Sequence, residues 1–495
     1  MVIVTGFPLF TILLSLFSGV LCLLLKGRTA KRYTFALELV LTGMAAAVLA
    51  YVVQTGREFT FTMGEFPAPW GNEIRAGVLE ALMALIFLTV LICSVTAGHR
   101  FVNTDIDESK VNLYYALLNL MTAALMSVVW TNDIFTGYVF VEILTLTSCG
   151  ILIVRELGRT TLAAVRYMIL NLLGSGLFLL GVVLLYSMTG HLLMVPMQHT
   201  ITELAGDPQV LRNLTIVVGI LTVGLSIKSG LFPFHYWMPD TYGWATPTSA
   251  AILSAIVSKA YIFLLFKIYY RVIGIKTFEM MPVRNILLLL GVCGIIAGSA
   301  GAILSNNINR MVALSSAAQI GYIYAGLGLG GAAGYTAALF HILVHAVTKS
   351  QLFLTTPRLA EVSGGSLLFR ELQGSGLRDR DAGAFFSVSA LSMIGIPIFA
   401  GFSSKLQFGL AAVTVGNRKL ILVMLALAVS SLLNAMYFIR TVIRIYTDSP
   451  EKTERAGHRA DFILPLLALT ACNLFLGLFS RVAADLIRTG LLMFG

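Results

Sequence analysis

Long apolar runs follow one another along the whole chain and are separated by short polar stretches. A run of about 18 or more apolar residues is long enough to cross a hydrocarbon core of about 30 Å as an α-helix. The pattern therefore predicts an all-α polytopic membrane protein with about fourteen transmembrane helices. The predicted spans are 3–25, 33–53, 76–97, 111–130, 133–154, 163–188, 214–231, 249–272, 284–305, 309–329, 332–356, 382–415, 420–446 and 462–482.

The loops between these spans differ in charge. Loops after odd-numbered spans hold most of the Lys and Arg residues, among them Lys26, Arg32, Arg155 and Arg378. The positive-inside rule therefore predicts that these loops are cytoplasmic and that both termini lie outside, in the plasma (inner) membrane of a prokaryotic cell. No small-residue cleavage site follows the first apolar run, so we interpret that run as a retained span rather than a signal peptide.

Two of the predicted spans contain Gly and Pro where they interrupt a helix. Span seven contains residues 227–233 (IKSGLFP) and span twelve residues 395–405 (GIPIFAGFSSK), each with a lysine at membrane depth. If spans four to eight and nine to thirteen are two copies of one unit, the interrupted helix is the fourth in both. Since five is odd, the copies lie inverted, and matching interruptions indicate a transport site. The predicted division is 1–110 as an N-terminal three-helix segment, 111–273 and 284–446 as the inverted repeats, and 447–495 as the C-terminal helix.

Composition agrees with this class. Hydrophobic residues make up 57% of the 495 positions, charged residues 12%, and the mean hydropathy is +0.87, which leaves no soluble domain of useful size. A net charge of +10 is also found in nucleic-acid-binding proteins, but arginines in short loops are what membrane topology requires, so no nucleic-acid partner is expected. The five cysteines lie within apolar runs and form no C-x-x-C pair, which disfavours zinc, iron–sulfur and disulfide frameworks.

Five of the eleven lysines fall inside predicted spans, although a lysine at mid-helix costs about 2.5–3.5 kcal/mol on insertion scales. Lys267 precedes two tyrosines and an arginine near a helix end, so snorkelling to the membrane surface explains it. The other four lie deeper, where snorkelling is difficult, and are candidates for function. They are Lys228, Lys259, Lys349 and Lys405.

Three glutamates also fall inside predicted spans. Glu142 lies near the middle of span five, and a carboxylate at that depth requires a partner, which favours a functional role. Glu38 and Glu80 lie nearer to helix ends, where contact with lipid headgroups is an equally good explanation.

Span eleven carries His341, His345 and Lys349 at positions i, i+4 and i+8, which align on one helix face. A metal or haem ligand pair and a polar stripe for helix packing are the structural alternatives. No thiolate or carboxylate joins the two histidines, which disfavours a metal. A ladder of titratable groups suits proton relay, because imidazole changes charge near neutral pH. His235, in the interruption after Lys228, would link span seven to the next helix.

Together these groups predict a proton pathway across the membrane plane, in which protonating or moving one buried charge shifts the proton affinity of the next. Such a pathway needs no cofactor. Its predicted members, in order, are Glu142, Lys228, Lys259, His341, His345, Lys349 and Lys405, with His235 as an additional relay.

Several segments are similar to one known family. The matching motifs are 131–142 (TNDIFTGYVFVE), 228–240 (KSGLFPFHYWMPD), 313–322 (ALSSAAQIGY), 340–349 (FHILVHAVTK), 390–405 (ALSMIGIPIFAGFSSK) and 433–437 (LNAMY). They resemble the antiporter-like subunits shared by respiratory complex I, membrane-bound hydrogenases and Mrp-type Na⁺/H⁺ antiporters. The resemblance covers essentially the whole chain.

The resemblance implies fourteen helices with an inverted five-helix repeat, and it implies roles. Glu142 and Lys228 would interact in the first half-channel, Lys259 and the two histidines would form the central connection, and Lys405 would serve the exit of the second half-channel. Many relatives have an acid and a lysine just before the arginine at position 310, where this chain has Asn307 and Asn309. A charge-based role for that loop is therefore in doubt.

The resemblance also implies a component of a multisubunit membrane complex, with other membrane subunits as partners, protons as cargo, no cofactor or metal, and no redox centre of its own. Lysine at position 405, where one complex I subunit type has glutamate, favours an Mrp D-type subunit or its hydrogenase and complex I counterparts. Na⁺ transport, and the choice between ion exchange and a redox partner as the driving force, stay open. The alternatives from other classes are a quinone- or haem-binding oxidoreductase subunit and a rocking solute permease.

Overall fold

The computed structural model describes residues 2–66, 71–448 and 456–494 and is almost entirely helical there. A two-stranded antiparallel hairpin, β1 (Phe59–Thr62) and β2 (Glu73–Ala76), precedes the fourth helix. The helices are α1 Val2–Thr5, α2 Phe7–Leu24, α3 Gly27–Thr55, α4 Val78–Asp105, α5 Val111–Trp130, α6 Ile134–Ile153, α7 Gly158–Thr189, α8 Met194–Leu204, α9 Pro208–Ser229, α10 Met238–Trp244, α11 Pro247–Ile252, α12 Ser258–Lys267, α13 Ile275–Met280, α14 Val283–Leu304, α15 Ile308–Leu329, α16 Gly331–Glu361, α17 Ser375–Arg378, α18 Arg380–Ile394, α19 Ala400–Val415, α20 Asn417–Tyr446, α21 Ala460–Leu478 and α22 Ser480–Phe494.

Thirteen helices in the described parts of the chain are long and apolar enough to cross a membrane, and they coincide with thirteen of the predicted spans. The prediction of a polytopic helical membrane protein is therefore confirmed. The span predicted at 382–415 is divided between α18 and α19, each too short to cross alone. That these two helices together supply a fourteenth crossing stays a prediction.

The helices form a core and a periphery. The stretch Pro247–Val272 and residues 334–360 of α16 are buried within the protein, and α15 is nearly so, whereas most residues of α2, α3 and α20 are partly or fully exposed. The peripheral helices thus present apolar side chains to lipid. The central ones are enclosed by protein, so their polar side chains can find partners there.

Helices α14 and α15 approach closely because glycines face each other across their contact. A Cβ atom at Gly321 would lie 2.6 Å from the Gly291 carbonyl oxygen, and one at Gly298 would lie 2.5 Å from the Ala318 backbone nitrogen. Small residues at a helix contact let the two backbones come together in a membrane, where packing rather than the hydrophobic effect drives association.

The two interrupted helices end in the same way. At the end of α9, Gly230 is left-handed (φ 78°), and the amides of Gly230 and Leu231 both donate to the Ser226 carbonyl. At the end of α18, Gly395 is left-handed (φ 93°), and it and the residue that follows donate to the carbonyl that lies four residues before the glycine. Glycine adopts this conformation without a Cβ penalty, which is why both helices stop there. The division into two inverted repeats stays a prediction.

The glycine contact gives a testable expectation. We expect Gly321→Ala to destabilise the protein by about 1–3 kcal/mol, because its new Cβ meets backbone atoms that cannot rotate away. The thermal unfolding midpoint in detergent should fall. Gly219→Ala is the matched control, because Gly219 also lies inside a helix but has open space around it. The unfolding midpoint of this variant should stay unchanged or rise. Equal midpoints for the two variants would contradict the packing argument.

Candidate ion pathway

The first charged pair joins α6 and α9. The Lys228 ammonium lies 3.2 Å from a Glu142 carboxylate oxygen and donates a 2.9 Å hydrogen bond to the Thr145 hydroxyl. Lys228 is fully buried and lies in the last turn of α9, directly before the interruption, while Glu142 is partly exposed and accepts a hydrogen bond from Ser175 of α7. The predicted interaction between Glu142 and Lys228 is present in the structure.

A hydroxyl contact leads from this pair to the buried central helix. The Thr145 hydroxyl lies 3.2 Å from the Tyr261 hydroxyl, and the Lys228 ammonium lies 5.7 Å from the centre of the Tyr261 ring. Tyr261 is two residues from Lys259 on α12. The Lys259 ammonium is buried and donates to the Ser254 carbonyl at 2.5 Å and the Ser258 hydroxyl at 3.0 Å.

Ser254 belongs to a π-helical segment, Leu253–Val257, immediately before α12. Lys259 follows Ser254 by five positions, so its ammonium donates to a carbonyl of the π-helical turn that precedes it. Single π-turns inside helices occur frequently at functional sites. The local irregularity here provides the acceptor that a buried ammonium requires.

The ladder predicted on α16 is buried along its whole length. The ring centres of His341 and His345 are 6.3 Å apart, and His341 Nδ1 lies 2.8 Å from the Ser404 hydroxyl of α19. Among the described residues, neither ring nitrogen of His345 has a hydrogen-bonding partner. Lys349 donates to the Val312 carbonyl at 3.0 Å and to Ser315, both on α15.

The last predicted member lies just beyond the second interruption. The Lys405 ammonium donates to the carbonyl of Ile394, the last residue of α18, at 2.7 Å and to the Ser431 hydroxyl at 3.0 Å. Its chain neighbour Ser404 contacts His341. The structure thus brings the second half of the predicted chain together around α16.

Sequence reasoning missed the hydroxyl groups that connect the charges. Only half of them fall within the quoted motifs or one turn beyond them, and a hydroxyl in a membrane helix most often bonds to its own backbone, so nothing in the sequence distinguishes them. These groups are Thr145, Ser175, Tyr261, Ser254, Ser258, Ser315, Ser404 and Ser431.

The explanation of Lys267 by snorkelling is wrong. Lys267 is fully buried, and its ammonium donates to the Val129 carbonyl at 2.9 Å and the Thr131 carbonyl at 2.5 Å, at the C-terminal end of α5. The charges of Glu80, Arg75 and Arg271 act on it. The side chain therefore points into the protein, where helix-end carbonyls attract a cation, rather than towards the membrane surface.

Headgroup contact is also the wrong explanation for Glu38 and Glu80, since both are fully buried. Glu38 accepts a 3.0 Å hydrogen bond from the Thr122 hydroxyl. Glu80 accepts a 2.6 Å bond from Arg75, a fully buried arginine of β2 that also pairs with Glu58. We call the group Glu58, Arg75, Glu80, Lys267 and Arg271 the hairpin cluster.

The C-terminal helix packs on the hairpin cluster. Arg75 donates a 2.6 Å hydrogen bond to the Met493 carbonyl, and its guanidinium lies 4.7 Å from the centre of the Phe494 ring, with that of Arg271 at 5.5 Å. Sequence reasoning missed Arg75 because it lies in the loop between two predicted spans, where an arginine is ordinarily solvated. This cluster fastens α22 to the hairpin.

Asn307 and Asn309 serve the helix start and a neighbouring helix. Asn307 accepts the Arg310 amide at 3.1 Å as the N-cap of α15, and Asn309 accepts a 2.6 Å bond from the Thr356 hydroxyl. The Arg310 side chain pairs with Asp240 at 3.2 Å, and Asp240 also pairs with Arg166 at 2.9 Å. No motif along the chain indicates this double pairing.

His235 lies in the predicted interruption, partly buried, with its ring 5.7 Å from the Phe232 ring. The structure shows no bond from His235 to another member of the chain among the described residues, and its relay role stays a prediction. No group of three or more His, Cys, Asp or Glu placed to hold a metal occurs in the described ranges. All five cysteines are free thiols.

Comparison with known proteins identifies the family to which this chain belongs. Residues 131–433 match the family described as "NADH:quinone oxidoreductase/Mrp antiporter, TM", a range that spans more than half of the chain and includes every member of the predicted pathway. The chain belongs to this family. It is an antiporter-like subunit, and the predicted resemblance is confirmed.

Relatives of two kinds are similar to this antiporter-like subunit. NADH-quinone oxidoreductase subunit N of Desulforudis audaxviator is 32% identical, covering 96% of each chain. The D-type subunit of the Na⁺/H⁺ antiporter of Bacillus subtilis is 23% identical, covering 96% of this chain and 94% of that one. A chain of the Mrp complex from Dietzia sp. shares the fold, with a TM-score of 0.88 and 22% identity over 99% of this chain and 97% of that one.

The hairpin cluster gives a prediction on stability. We expect Glu80→Gln to destabilise the protein by about 3 kcal/mol or more, because the change leaves Arg75 and Lys267 buried with less compensating charge. Thermal unfolding in detergent measures the effect. Asp485→Asn, which removes an exposed ion pair with Arg488 on α22, should change stability by about 0–1 kcal/mol. Equal effects of the two changes would show that burial of the cluster contributes nothing.

Proposed function

We propose that this antiporter-like subunit moves protons across the membrane within a larger complex of membrane subunits, through the chain of buried groups around α9, α12, α16 and α19. The observation that carries the proposal is the ion pair between the fully buried Lys228 and the partly exposed Glu142 at the interruption of α9. The relatives named as subunits of a quinone oxidoreductase and of an Na⁺/H⁺ antiporter support assembly with other membrane subunits.

The ion pair acts as the first switch. While Lys228 lies against Glu142, the electric fields of the two opposite charges largely cancel at groups farther away. When a proton neutralises Glu142, the field of the Lys228 ammonium is no longer balanced, and its repulsion acts through a low-dielectric interior on Lys259, the next member of the proposed chain. Lys259 then releases its proton more readily. Motion of one charge thus becomes motion of the next.

The histidines carry the proton into the second half. The His345 ring nitrogens have no described protein partner, so they are free to accept and release a proton, and the His341 ring follows at 6.3 Å. His341 contacts Ser404, and Lys405 follows Ser404 in the chain. The Lys349 ammonium, which is hydrogen-bonded to α15, repels the Lys259 ammonium and so favours release of its proton. The proton leaves by way of Lys405.

The half-channels correspond to 111–273, with Glu142 and Lys228, and 284–446, with Lys405. We propose ion exchange of the Mrp kind as the driving process, in keeping with the lysine at position 405. The similarity to a subunit of an NADH-quinone oxidoreductase supports the alternative, in which a redox partner in the same complex supplies the energy. In both cases the groups inside this chain perform the same charge displacement.

The membrane orientation is part of the proposal. The described ends of the chain lie on one face of the bundle, because Thr11 accepts a bond from Trp130 at the end of α5, and Met493 bonds to Arg75 beside that same end. With the loops rich in Lys and Arg in the cytoplasm, both termini lie outside the plasma membrane.

Glu142→Ala and Lys228→Ala should each abolish proton transport by the complex while assembly is retained, because each leaves the other charge without its partner. Transport is measured as pH change in vesicles, and assembly by purification of the complex. Lys110→Ala is the matched control, since Lys110 also pairs with a glutamate, Glu156, but at the exposed surface. Full transport by both pathway variants would refute the proposed route.

Orientation can be tested with cysteines placed at exposed positions on opposite faces. We expect Arg57→Cys to react with a membrane-impermeant maleimide in intact cells, and Thr104→Cys to react only after permeabilisation. The five native cysteines, all within spans, provide the background in the unsubstituted protein. The reverse labelling pattern would place both termini inside.

A further inference from the structure

We propose that a basic cavity at the start of α3 binds the headgroup of an anionic phospholipid, at a site separate from the ion pathway. The cavity has a volume of about 860 Å³. Four basic side chains line it, together with one amide and one carboxylate. These six residues are Lys26, Arg28, Lys31, Arg32, Asn103 and Glu108.

The four basic side chains line the cavity without forming an ion pair among the described residues. Arg28, Lys31 and Arg32 lie at positions i, i+3 and i+4 of α3 and so share one helix face, and Lys26 is the N-cap residue before it. Within the described residues, no carboxylate oxygen lies within 4.0 Å of a basic nitrogen of any of the four. Glu108 lines the cavity but does not form an ion pair with them.

Several other arginines at the same face of the bundle form ion pairs. Arg155 lies 3.0 Å from Asp105, Arg358 lies 2.6 Å from Asp379, and Asp240 pairs with two more arginines. The positive-inside rule explains why basic residues lie at this face, but it does not require four of them to surround one cavity unpaired. Their arrangement supplies charge complementarity for an anion that comes from outside the chain.

The level of the cavity indicates that this anion is part of a lipid. The cavity lies where α2 and α4 end and α3 and α5 begin, which is the level of the headgroups beside transmembrane helices. Below it, α2 exposes Leu24, Leu21, Phe17 and Leu14, a stripe with helical spacing that runs down from the cavity level. A phosphate held at the cavity therefore has apolar surface beneath it for acyl chains.

Physical precedent fits this assignment. Basic pockets between transmembrane helices on the cytoplasmic side bind anionic headgroups, and the cytoplasmic leaflet is where the proposed orientation puts the cavity. The N-terminal end of the long helix α3 adds its partial positive charge. A free phosphate would satisfy the same charges but would leave the apolar stripe uncovered.

The test uses the full-length chain, purified in a neutral detergent and titrated with phosphatidylglycerol or phosphatidylcholine, with bound lipid counted by native mass spectrometry. We expect phosphatidylglycerol to bind more tightly than phosphatidylcholine. Arg28→Gln combined with Arg32→Gln should weaken phosphatidylglycerol binding by about tenfold or more, with Lys26 and Lys31 left to maintain topology. Replacing both arginines by lysine should largely preserve binding.

The matched control is Arg418→Gln combined with Lys419→Gln, which removes two basic residues from the first turn of another long helix, α20. Its affinity for phosphatidylglycerol should stay within about twofold of the unsubstituted chain. Equal binding of the two lipids, or unchanged binding in the Arg28/Arg32 variant, would overturn the proposal. So would displacement by millimolar inorganic phosphate, which identifies a free-anion site, or a cross-link from Arg28→Cys to a neighbouring subunit in the assembled complex, which identifies a protein contact.

Discussion

The architecture of this protein depends on how an ammonium group is held away from water. An unpaired charge in a low-dielectric interior is strongly unfavourable, so each buried lysine must have oxygen acceptors close by. Among the described residues, Lys228 is the only pathway lysine with a carboxylate partner. The others rely on backbone carbonyls and hydroxyl groups, which places a requirement on the helices around them.

Regular helices have few carbonyls to offer, because each interior one already accepts a bond from its own helix. The acceptors used here come mainly from places where the regular pattern fails. Lys405 bonds to the last carbonyl of α18, Lys267 to carbonyls at the end of α5, and Lys259 to a carbonyl in a π-turn. Helix ends also carry partial negative charge. The interruption at Gly395 is therefore part of the electrostatic design, because it frees the carbonyl that Lys405 uses.

The same chemistry serves two purposes in the molecule. In the hairpin cluster and at Asp240, charges are paired with several partners at once and join elements that are distant in sequence, such as the hairpin with α22. Along the pathway, Lys228 is the only lysine with an oppositely charged partner among the described residues, and His345 has no hydrogen-bonding partner there. A charge held by several opposite charges is fixed, whereas one held only by neutral groups can change its protonation state. This difference separates the fastening clusters from the groups proposed to move protons.

Much of this was open to prediction from the chain alone. The length of an apolar run determines which segments can cross a bilayer, and the free-energy cost of inserting a charge singles out Glu142 and the deep lysines as candidates for function. Neither the run length nor the insertion cost depends on how the helices pack. Helical periodicity likewise put His341 and His345 on one face.

The sequence by itself therefore determined the membrane class, the spans and the candidate charges. Tertiary packing alone decided which charges meet. Lys267 and Glu80 look like residues near a membrane surface, yet α5, the hairpin and α22 enclose them. The hydroxyls that connect the pathway, such as Thr145 and Ser404, gain their partners from other helices, a fact that no pattern along one helix records. The reason is physical: burial energy is set by the chain itself, whereas a hydrogen bond or ion pair needs two groups whose separation only the packed fold sets.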